Sequence, residues 1–149
     1  MEERVDQVAS FLGQHRYQMD AKGRIALPSK FKDSFGESML LILGRDAGLW
    51  AYAEEDWPRV TGQIDSGPLS TREDRNRARA LFSHAERVNV DDQGRVVIPQ
   101  FLRERAKLDR EVVVLGISDH LEIWPAAEWD RQEEGLVEDY VSDVLRGES

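Results

Sequence analysis

Apolar and polar positions follow the same order twice along this 149-residue chain. In each copy a short strand-like segment leads to an Asp-x-x-Gly turn, and a second such segment ends at a proline that can open a helix. Largely apolar runs at 39–43 and 111–115 then predict buried strands, each followed by a hairpin partner and a closing helix. The pattern predicts the order β-β-α-β-β-α in each half.

The elements recur because the sequence itself recurs: residues 17–28 resemble residues 87–99 when Asp20 is aligned with Asp91. A chain of this length readily forms one hydrophobic core, whereas a domain of about 70 residues is only marginally stable. We therefore expect a single domain over residues 1–149 with internal pseudo-twofold symmetry. Repeat 1 spans about 15–64, a linker and helix span 65–86, and repeat 2 spans about 87–146. The breaker cluster at 65–68 is the candidate linker, and a helix from 70 to about 85 follows it.

The two Asp-x-x-Gly turns are typical of tight hairpins. Asp20 and Asp91 can accept hydrogen bonds from the backbone that follows, and Gly23 and Gly94 permit the positive φ that such turns require. Each turn is thus expected to join two strands that pair with one another. Helices are expected after the prolines, at 29–35 and 100–107.

The C-terminal segment predicts an amphipathic helix. Its apolar residues recur at helical spacing, and acidic residues cover the other face. The apolar residues of this stripe are Trp129, Leu136, Val137, Tyr140, Val141, Val144 and Leu145. We favour packing of this stripe against the chain's own fold, with packing on a neighbouring subunit as the alternative.

Several classes of protein are disfavoured by composition. The chain has no cysteine, which excludes disulfides and thiolate-bound metals, and His15, His84 and His120 are too far apart in sequence for ligand spacing. No metal site or cofactor is therefore expected. The sequence also has no nucleophile elbow and no Gly-rich phosphate loop, so an enzyme is the weaker class. With no apolar run of membrane-spanning length and an acidic N-terminal segment, we expect a soluble, cytoplasmic protein.

The formal charge of −9 argues against a nucleic-acid partner, but its distribution weakens that objection. Most of the negative charge lies in the two terminal segments. Residues 16–32, in contrast, hold five basic residues and one acid, Asp20. The bases are Arg16, Lys22, Arg24, Lys30 and Lys32. Because the sign of a local patch matters more than the total, this segment can attract phosphate.

The arginines after the turns, Arg24 and Arg95, have two interpretations. Each can form an ion pair with the aspartate four residues before it and so serve the turn alone. Each also opens a strand beside a sterically bare turn, which lets its fork of donors recognise phosphate or guanine. Two basic turns related by a pseudo-twofold could then approach DNA as a β-ribbon. The tryptophans Trp50, Trp57, Trp124 and Trp129 are interpreted as packing anchors rather than as base-stacking platforms.

These residues resemble the MraZ family of bacterial transcriptional regulators. The resemblance covers about residues 11–145 and rests on the two Asp-x-x-x-Arg motifs with their following prolines, on residues 81–85, on Glu122-Ile-Trp124 and on Trp129. It implies an α+β fold, an AbrB-like swapped-hairpin or double-split β-barrel with flanking helices, in which the tandem copies do what two subunits do in related homodimers. The chain departs from the family's usual pattern in two places, the acidic leader at 1–10 and the second turn, which reads Asp-Asp-Gln-Gly-Arg.

The resemblance also implies a function. Members of the family form ring-shaped homo-oligomers and bind short direct repeats upstream of their own division and cell-wall gene cluster, usually as repressors, which implies association with the nucleoid. The family's DNA-contacting arginine corresponds to Arg24, with Arg95 as its second-repeat counterpart. We expect Arg24 and Lys22 to contact DNA, Arg16, Lys30 and Lys32 to add attraction, and Arg95 to contribute less. The alternative is a protein-interaction scaffold or antitoxin-like module of the AbrB type.

Overall fold

The structure, a computed structural model, describes residues 10–64 and 71–147. The predicted linker at 65–68, the first residue of the predicted helix, Ser70, and nearly all of the acidic leader lie outside these residues.

The described residues form an α+β fold in which each repeat has the predicted element order. Repeat 1 contains β1 (Gln14–Gln18), β2 (Arg24–Ala26), α1 (Ser29–Phe35), β3 (Ser38–Leu43), β4 (Leu49–Ala53), a 3-10 turn (Glu54–Asp56) and α2 (Trp57–Ile64). The connecting helix is α3 (Arg72–Ser83). Repeat 2 contains β5 (Glu86–Asn89), β6 (Arg95–Val97), α4 (Gln100–Arg105), β7 (Glu111–Ile117), β8 (His120–Pro125) and α5 (Ala126–Leu145).

The two short helices after the ribbon strands begin at prolines. Pro28 and Pro99 have φ values of −54° and −57°, which the proline ring fixes and which suit the entry to a helix. The bounds of α1 are those predicted. Helix α4 ends at Arg105, earlier than the predicted end at Lys107, because Lys107 adopts a left-handed conformation with φ 60°.

All described strands pair antiparallel, in two sheets. The larger sheet has six strands in the order β1-β7-β8-β4-β3-β5, and the smaller pairs β2 with β6. The hairpins β3–β4 and β7–β8 form as predicted. The outer strands are exchanged between repeats, since β1 pairs with β7 of repeat 2 and β5 pairs with β3 of repeat 1.

The hairpins predicted at the Asp-x-x-Gly turns are wrong. Strands β1 and β2 leave the first turn for different sheets, as β5 and β6 leave the second. Only the turns themselves are closed, the first by hydrogen bonds from Asp20 N to Arg24 O at 3.1 Å and from Gly23 N to Asp20 O at 2.9 Å. A three-residue strand cannot bury its apolar side chains in an isolated hairpin. Pairing across the repeats instead places Ile25 opposite Val96, both buried.

One large core between the sheets combines apolar residues from both repeats. Two smaller clusters lie under helices. Trp124 packs with Val113 beneath the first turns of α5, and Tyr52 packs with Val60 of α2. Trp124 is 5% exposed, and the other three tryptophans are partly buried and pack against the two smaller clusters. The interpretation of the tryptophans as packing anchors is confirmed.

Helix α5 docks on the fold only through its first turns. Ala126 is buried and Trp129 packs against the cluster beneath the helix, but the backbone departs from helical geometry at Glu134. Beyond that kink the apolar side chains are exposed, from 41% at Leu136 to 82% at Leu145. The predicted packing of the whole stripe on the chain's own fold is therefore wrong for its C-terminal half, because the helix kinks at Glu134 and the apolar side chains after the kink remain exposed.

Candidate nucleic-acid interface

The two predicted DNA-contacting arginines lie on one face of the β2–β6 ribbon. The register pairs Arg24 with Val97 and Ala26 with Arg95. Because side chains alternate across a strand, these four residues share the outward face while Ile25 and Val96 point into the core. Arg24 and Arg95 are diagonal neighbours across the pair, a relation that separates residues by roughly 7–8 Å.

Each arginine is held by the aspartate of its own turn. Asp20 Oδ1 accepts hydrogen bonds from the backbone N–H groups of Lys22 at 3.0 Å and Arg24 at 2.9 Å, and Oδ2 accepts one from Arg24 Nε at 2.8 Å. In the second turn, Asp91 accepts the corresponding bonds from Gln93 and Arg95 at 2.8–2.9 Å. The backbone N–H of each arginine, followed by its side chain, lowers the pKa of the aspartate below the ordinary value of 3.8. The predicted structural ion pair is present in both turns.

This ion pair does not consume the arginine. It uses the Nε–H group, and within residues 10–64 and 71–147 no hydrogen bond reaches the terminal Nη groups of Arg24 or Arg95. The two side chains are 37% and 39% exposed. The carboxylate thus fixes the stem of each guanidinium and leaves its terminal donors available to a ligand, so the structural and the binding interpretations are compatible.

Each turn is bound by the other repeat. Leu27 N donates to Gly94 O, and its counterpart Ile98 N donates to Gly23 O, both at 2.8 Å. Lys32 of α1 donates through Nζ to the carbonyl oxygen of Asp92 in the second turn. The ribbon therefore forms only when the repeats are combined, and each turn is held in place by the other repeat.

Arg103 of α4 is the counterpart of Lys32 and was not predicted. Its Nε donates to Ile98 O at 2.9 Å, and a Cβ built at Gly23 would lie only 2.5 Å from this Nε. The guanidinium thus lies against the first turn as Lys32 lies against the second. The repeat alignment could have identified it, since Arg103 follows Pro99 at the distance at which Lys32 follows Pro28.

The remaining predicted bases are not all brought to this surface. Lys22 is exposed at the first turn, and Lys30 is exposed on α1 with its Nζ 5.2 Å from the Phe31 ring centroid. Arg16 lies in the other sheet, on β1, where it forms an ion pair with Asp130 of α5. Arg16 therefore braces the C-terminal helix and lies apart from the ribbon.

The family follows from comparison with known proteins. The family model described as "MraZ protein, putative antitoxin-like" matches residues 10–80 and again residues 81–144. The chain belongs to the MraZ family.

Its relatives within the MraZ family cover most of the chain. A protein from Acetivibrio thermocellus named "Transcriptional regulator MraZ" is 39% identical over 120 residues, which are 80% of this chain and 84% of that protein. Proteins of the same name from Desulforamulus reducens and Lactiplantibacillus plantarum are 39% and 37% identical, over 81% and 83% of this chain and 85% and 87% of their own lengths.

A buried polar cluster in this MraZ chain lies apart from the ribbon. The His120 ring lies 4.9 Å from Trp50 and 5.0 Å from Tyr52, and its nitrogens contact Asp119 at 2.8 Å and Glu122 at 3.4 Å. Burial lowers the pKa of His120, but the hydrogen bonds to both carboxylates outweigh this and raise it above 6.5. Burial also raises the pKa of Tyr52 to about 12. Both ring nitrogens of His120 thus have a carboxylate partner.

The described part of the chain has neither a candidate metal site nor a helix suited to spanning a membrane. It contains no group of three or more His, Asp or Glu side chains placed to hold a metal ion. None of its helices is both long and apolar enough to cross a membrane.

Proposed function

We propose that this chain is a sequence-specific DNA-binding transcriptional regulator that represses the promoter of its own division and cell-wall gene cluster. The observation that carries the proposal is the pair Arg24 and Arg95 on one exposed face of the β2–β6 ribbon, each with terminal donors that no described residue uses. Relatives that bear the name of transcriptional regulators support it. Such a role would associate the protein with the nucleoid.

In the proposed mode, the ribbon face enters the major groove. A two-stranded β-ribbon fits that groove, and an arginine fork can bond the O6 and N7 atoms of guanine. The aspartates orient the guanidinium groups beforehand, which reduces the entropy lost when they bind a base. Lys22 at the tip of the first turn and Lys30 on α1 add attraction to phosphate.

The two turns contribute unequally in this proposal. The first turn carries Ala21 and Lys22 where the second carries Asp92 and Gln93, so the second turn is the more negative. A negative side chain beside a guanidinium weakens its attraction to DNA. Arg24 is therefore the main contact, and Arg95 the lesser one.

The proposal includes assembly into a ring-shaped homo-oligomer. The C-terminal half of α5 exposes Leu136, Val137, Tyr140, Val141, Val144 and Leu145. An apolar stripe of this extent is unusual on a monomer and fits an interface between subunits. A ring presents several ribbons at fixed spacing, so binding to one DNA box makes binding to the next direct repeat effectively intramolecular. Multivalency of this kind would raise the affinity for DNA although the chain carries a negative net charge.

The finer description of the fold belongs to the same proposal. Exchange of β1 and β5 between repeats, together with the β2–β6 pair, supports a swapped-hairpin, double-split barrel of the AbrB type. It also supports one pseudo-twofold domain over residues 1–149, with repeats at about 15–64 and 87–146.

The test of DNA binding is a gel shift with a duplex from the chain's own upstream region and a scrambled duplex of equal length, across a salt series. We expect preference for the upstream duplex and an affinity that falls as salt rises. Equal affinity for both duplexes, or binding that does not depend on salt, would contradict the proposed mode.

The test of assembly is the size of the particle in light scattering after chromatography. We expect a ring for the wild type and smaller species for Val137→Asp combined with Tyr140→Asp, since two charges would enter an apolar interface. Asp139→Asn, which changes an exposed residue on the same helix, is the matched control and should preserve the ring. A wild type that remains monomeric at micromolar concentration would exclude the ring.

A protein-interaction scaffold or antitoxin-like module is the second candidate. It is favoured by the same exposed stripe on an acidic helix, which could bind another protein, and by the antitoxin-like description of the family model. Capture of one stoichiometric partner together with no preference for the upstream duplex would support it over the first candidate.

A further inference from the structure

An open groove of about 540 Å³ lies beside the first turn. Its lining includes Asp20 and Ala21 from the turn, Arg103 from the end of α4, and Asp109 with Arg110 from the loop before β7. Both arginines keep donors for a ligand. Arg103 uses its Nε–H on Ile98 O, and Arg110 uses one Nη2 bond, 3.2 Å long, to the side chain of Gln18.

Of the two groove arginines, Arg103 has a basic counterpart at the second turn, Lys32, but Arg110 does not. Backbone hydrogen bonds define the matching positions, since Met19 N donates to Arg110 O and its counterpart Val90 N donates to Glu37 O. The position related to Arg110 by the pseudo-twofold axis is thus occupied by an acid, Glu37. Ala21 is likewise replaced by Asp92, whose carbonyl oxygen already binds Lys32, the counterpart of Arg103.

The surroundings of the two turns therefore differ in sign. Beside the first turn, Lys22, Arg24, Arg103 and Arg110 stand with Asp20 and Asp109. Beside the second, Lys32 and Arg95 stand with Asp91, Asp92 and Glu37. Asp20 and Asp91 are each bound to their own arginine, so they do not distinguish the turns.

We propose that the groove between Arg103 and Arg110 binds a phosphate of the DNA backbone, and that this site exists beside the first turn alone. Guanidinium groups suit a phosphodiester because their planar donors match its oxygens. Arg103 is fixed against Gly23, so its contact lies next to the base-contacting Arg24. The duplex is then held asymmetrically about the pseudo-twofold axis, and each subunit gives it a direction, as a direct repeat requires.

The test measures affinity for the upstream and the scrambled duplex across a salt series with Arg110→Gln. Arg110 is exposed and makes one long side-chain bond, so its replacement spares the fold, which a melting curve can verify. A plot of log affinity against log salt has a negative slope, and we expect its magnitude to decrease by up to about 0.9 for each subunit in contact. The affinity for both duplexes should weaken equally. At 0.1 M salt this corresponds to roughly tenfold weaker binding per phosphate.

Arg105→Gln is the matched control. Arg105 lies on α4 with Arg103, but it lines a different groove with Gly44 and Glu128. The Arg105→Gln variant loses the same charge as Arg110→Gln and should keep the wild-type slope. Arg103→Gln should reproduce the effect of Arg110→Gln, whereas Lys32→Gln, its counterpart at the second turn, should change the slope less. Equal slopes for the wild type, Arg110→Gln and Arg105→Gln, or an equal fall for both variants, would overturn the site.

Because this inference rests on the proposed function, the two must fail differently. A wild type that prefers its upstream duplex while Arg110→Gln keeps the full slope refutes the phosphate site and retains the regulator. If the wild type shows no preference for its upstream duplex but Arg110→Gln still makes the slope less steep on both duplexes, the proposed regulator is refuted and the phosphate site is retained. Inorganic phosphate that stabilises the wild type but not Arg110→Gln, with the slope on DNA unchanged, would make a free anion the ligand and overturn the proposal.

Discussion

The two turns of the ribbon share one backbone design and differ in what surrounds it. In both, an aspartate accepts two hydrogen bonds from the following arginine and one from the backbone N–H of Lys22 or Gln93, and a glycine adopts positive φ. The differences lie at positions without a side-chain role in the turn, such as Lys22 and Gln93. Folding therefore constrains the residues that shape the turn and leaves the neighbouring charges free to specialise.

The largest expected difference between the turns is in DNA affinity. Arg24→Ala should weaken binding to the upstream duplex far more than Arg95→Ala, since one arginine contact to a base contributes about 1–3 kcal/mol and the proposed ring would repeat the loss in each subunit. The measurement is a gel shift at fixed salt, with melting temperature and particle size as controls. A greater loss for Arg95→Ala would show that the second turn is the main contact, and unfolding of Arg24→Ala would show that its ion pair is chiefly structural.

A smaller difference is expected in stability when a methyl group is added at each turn glycine. Both Gly23 (φ 84°) and Gly94 (φ 78°) adopt the left-handed region, so each alanine costs about 1–2 kcal/mol. At Gly23 the new Cβ would also lie 2.8 Å from the backbone oxygen of Ile98, whereas at Gly94 it would meet only the flexible Lys32 side chain at 3.4 Å. Gly23→Ala should therefore be less stable than Gly94→Ala by about 1–3 kcal/mol in urea unfolding. Equal losses would mean that the two turns are equally free to relax.

The smallest expected difference concerns pH. His120 belongs to repeat 2 alone, because its counterpart Gly48 lies so close to β8 that a Cβ would be 2.0 Å from Ile123 O. The pKa of His120 is raised in the folded state. The stabilisation from its two carboxylates is then complete below pH 6.5 and is lost as pH rises through the folded pKa.

The check is the melting temperature measured from below pH 6.5 upward for the wild type, His120→Gln and the control His84→Gln. The wild type and the control should lose stability over this range, and His120→Gln should lose less. A wild-type profile that His120→Gln reproduces would show that the histidine is not the group responsible.

Local elements were predictable from the sequence, and partners in space were not. The prolines, the apolar runs and the turn glycines determine where α1, β3 and β7 begin, which is why their positions were predicted closely. The same local pattern favours a hairpin at Asp20, whereas burial of Ile25 against Val96 requires a strand of the other repeat. That choice depends on the whole core, which no short window contains.

The site was predictable to a similar depth. Arg24, Arg95 and their aspartates follow from motif spacing, and their ion pairs form as one interpretation expected. Arg110 escaped prediction because the loop after α4 approaches the first turn only in the folded chain, whereas Arg103 could have been found from its alignment with Lys32. Arg16 shows the reverse, since its charge is near Arg24 in sequence but faces Asp130 of α5.

The exchange of strands has a consequence for synthesis on the ribosome. Strand β2 emerges early, yet its partner β6 starts at Arg95, and β1 waits for β7, which ends at Ile117. Pairings between such distant segments form late, because a long loop must close before they gain contacts. A nascent or truncated chain consequently lacks the ribbon face, and the proposed DNA-binding surface appears only when the second repeat has been translated and folded.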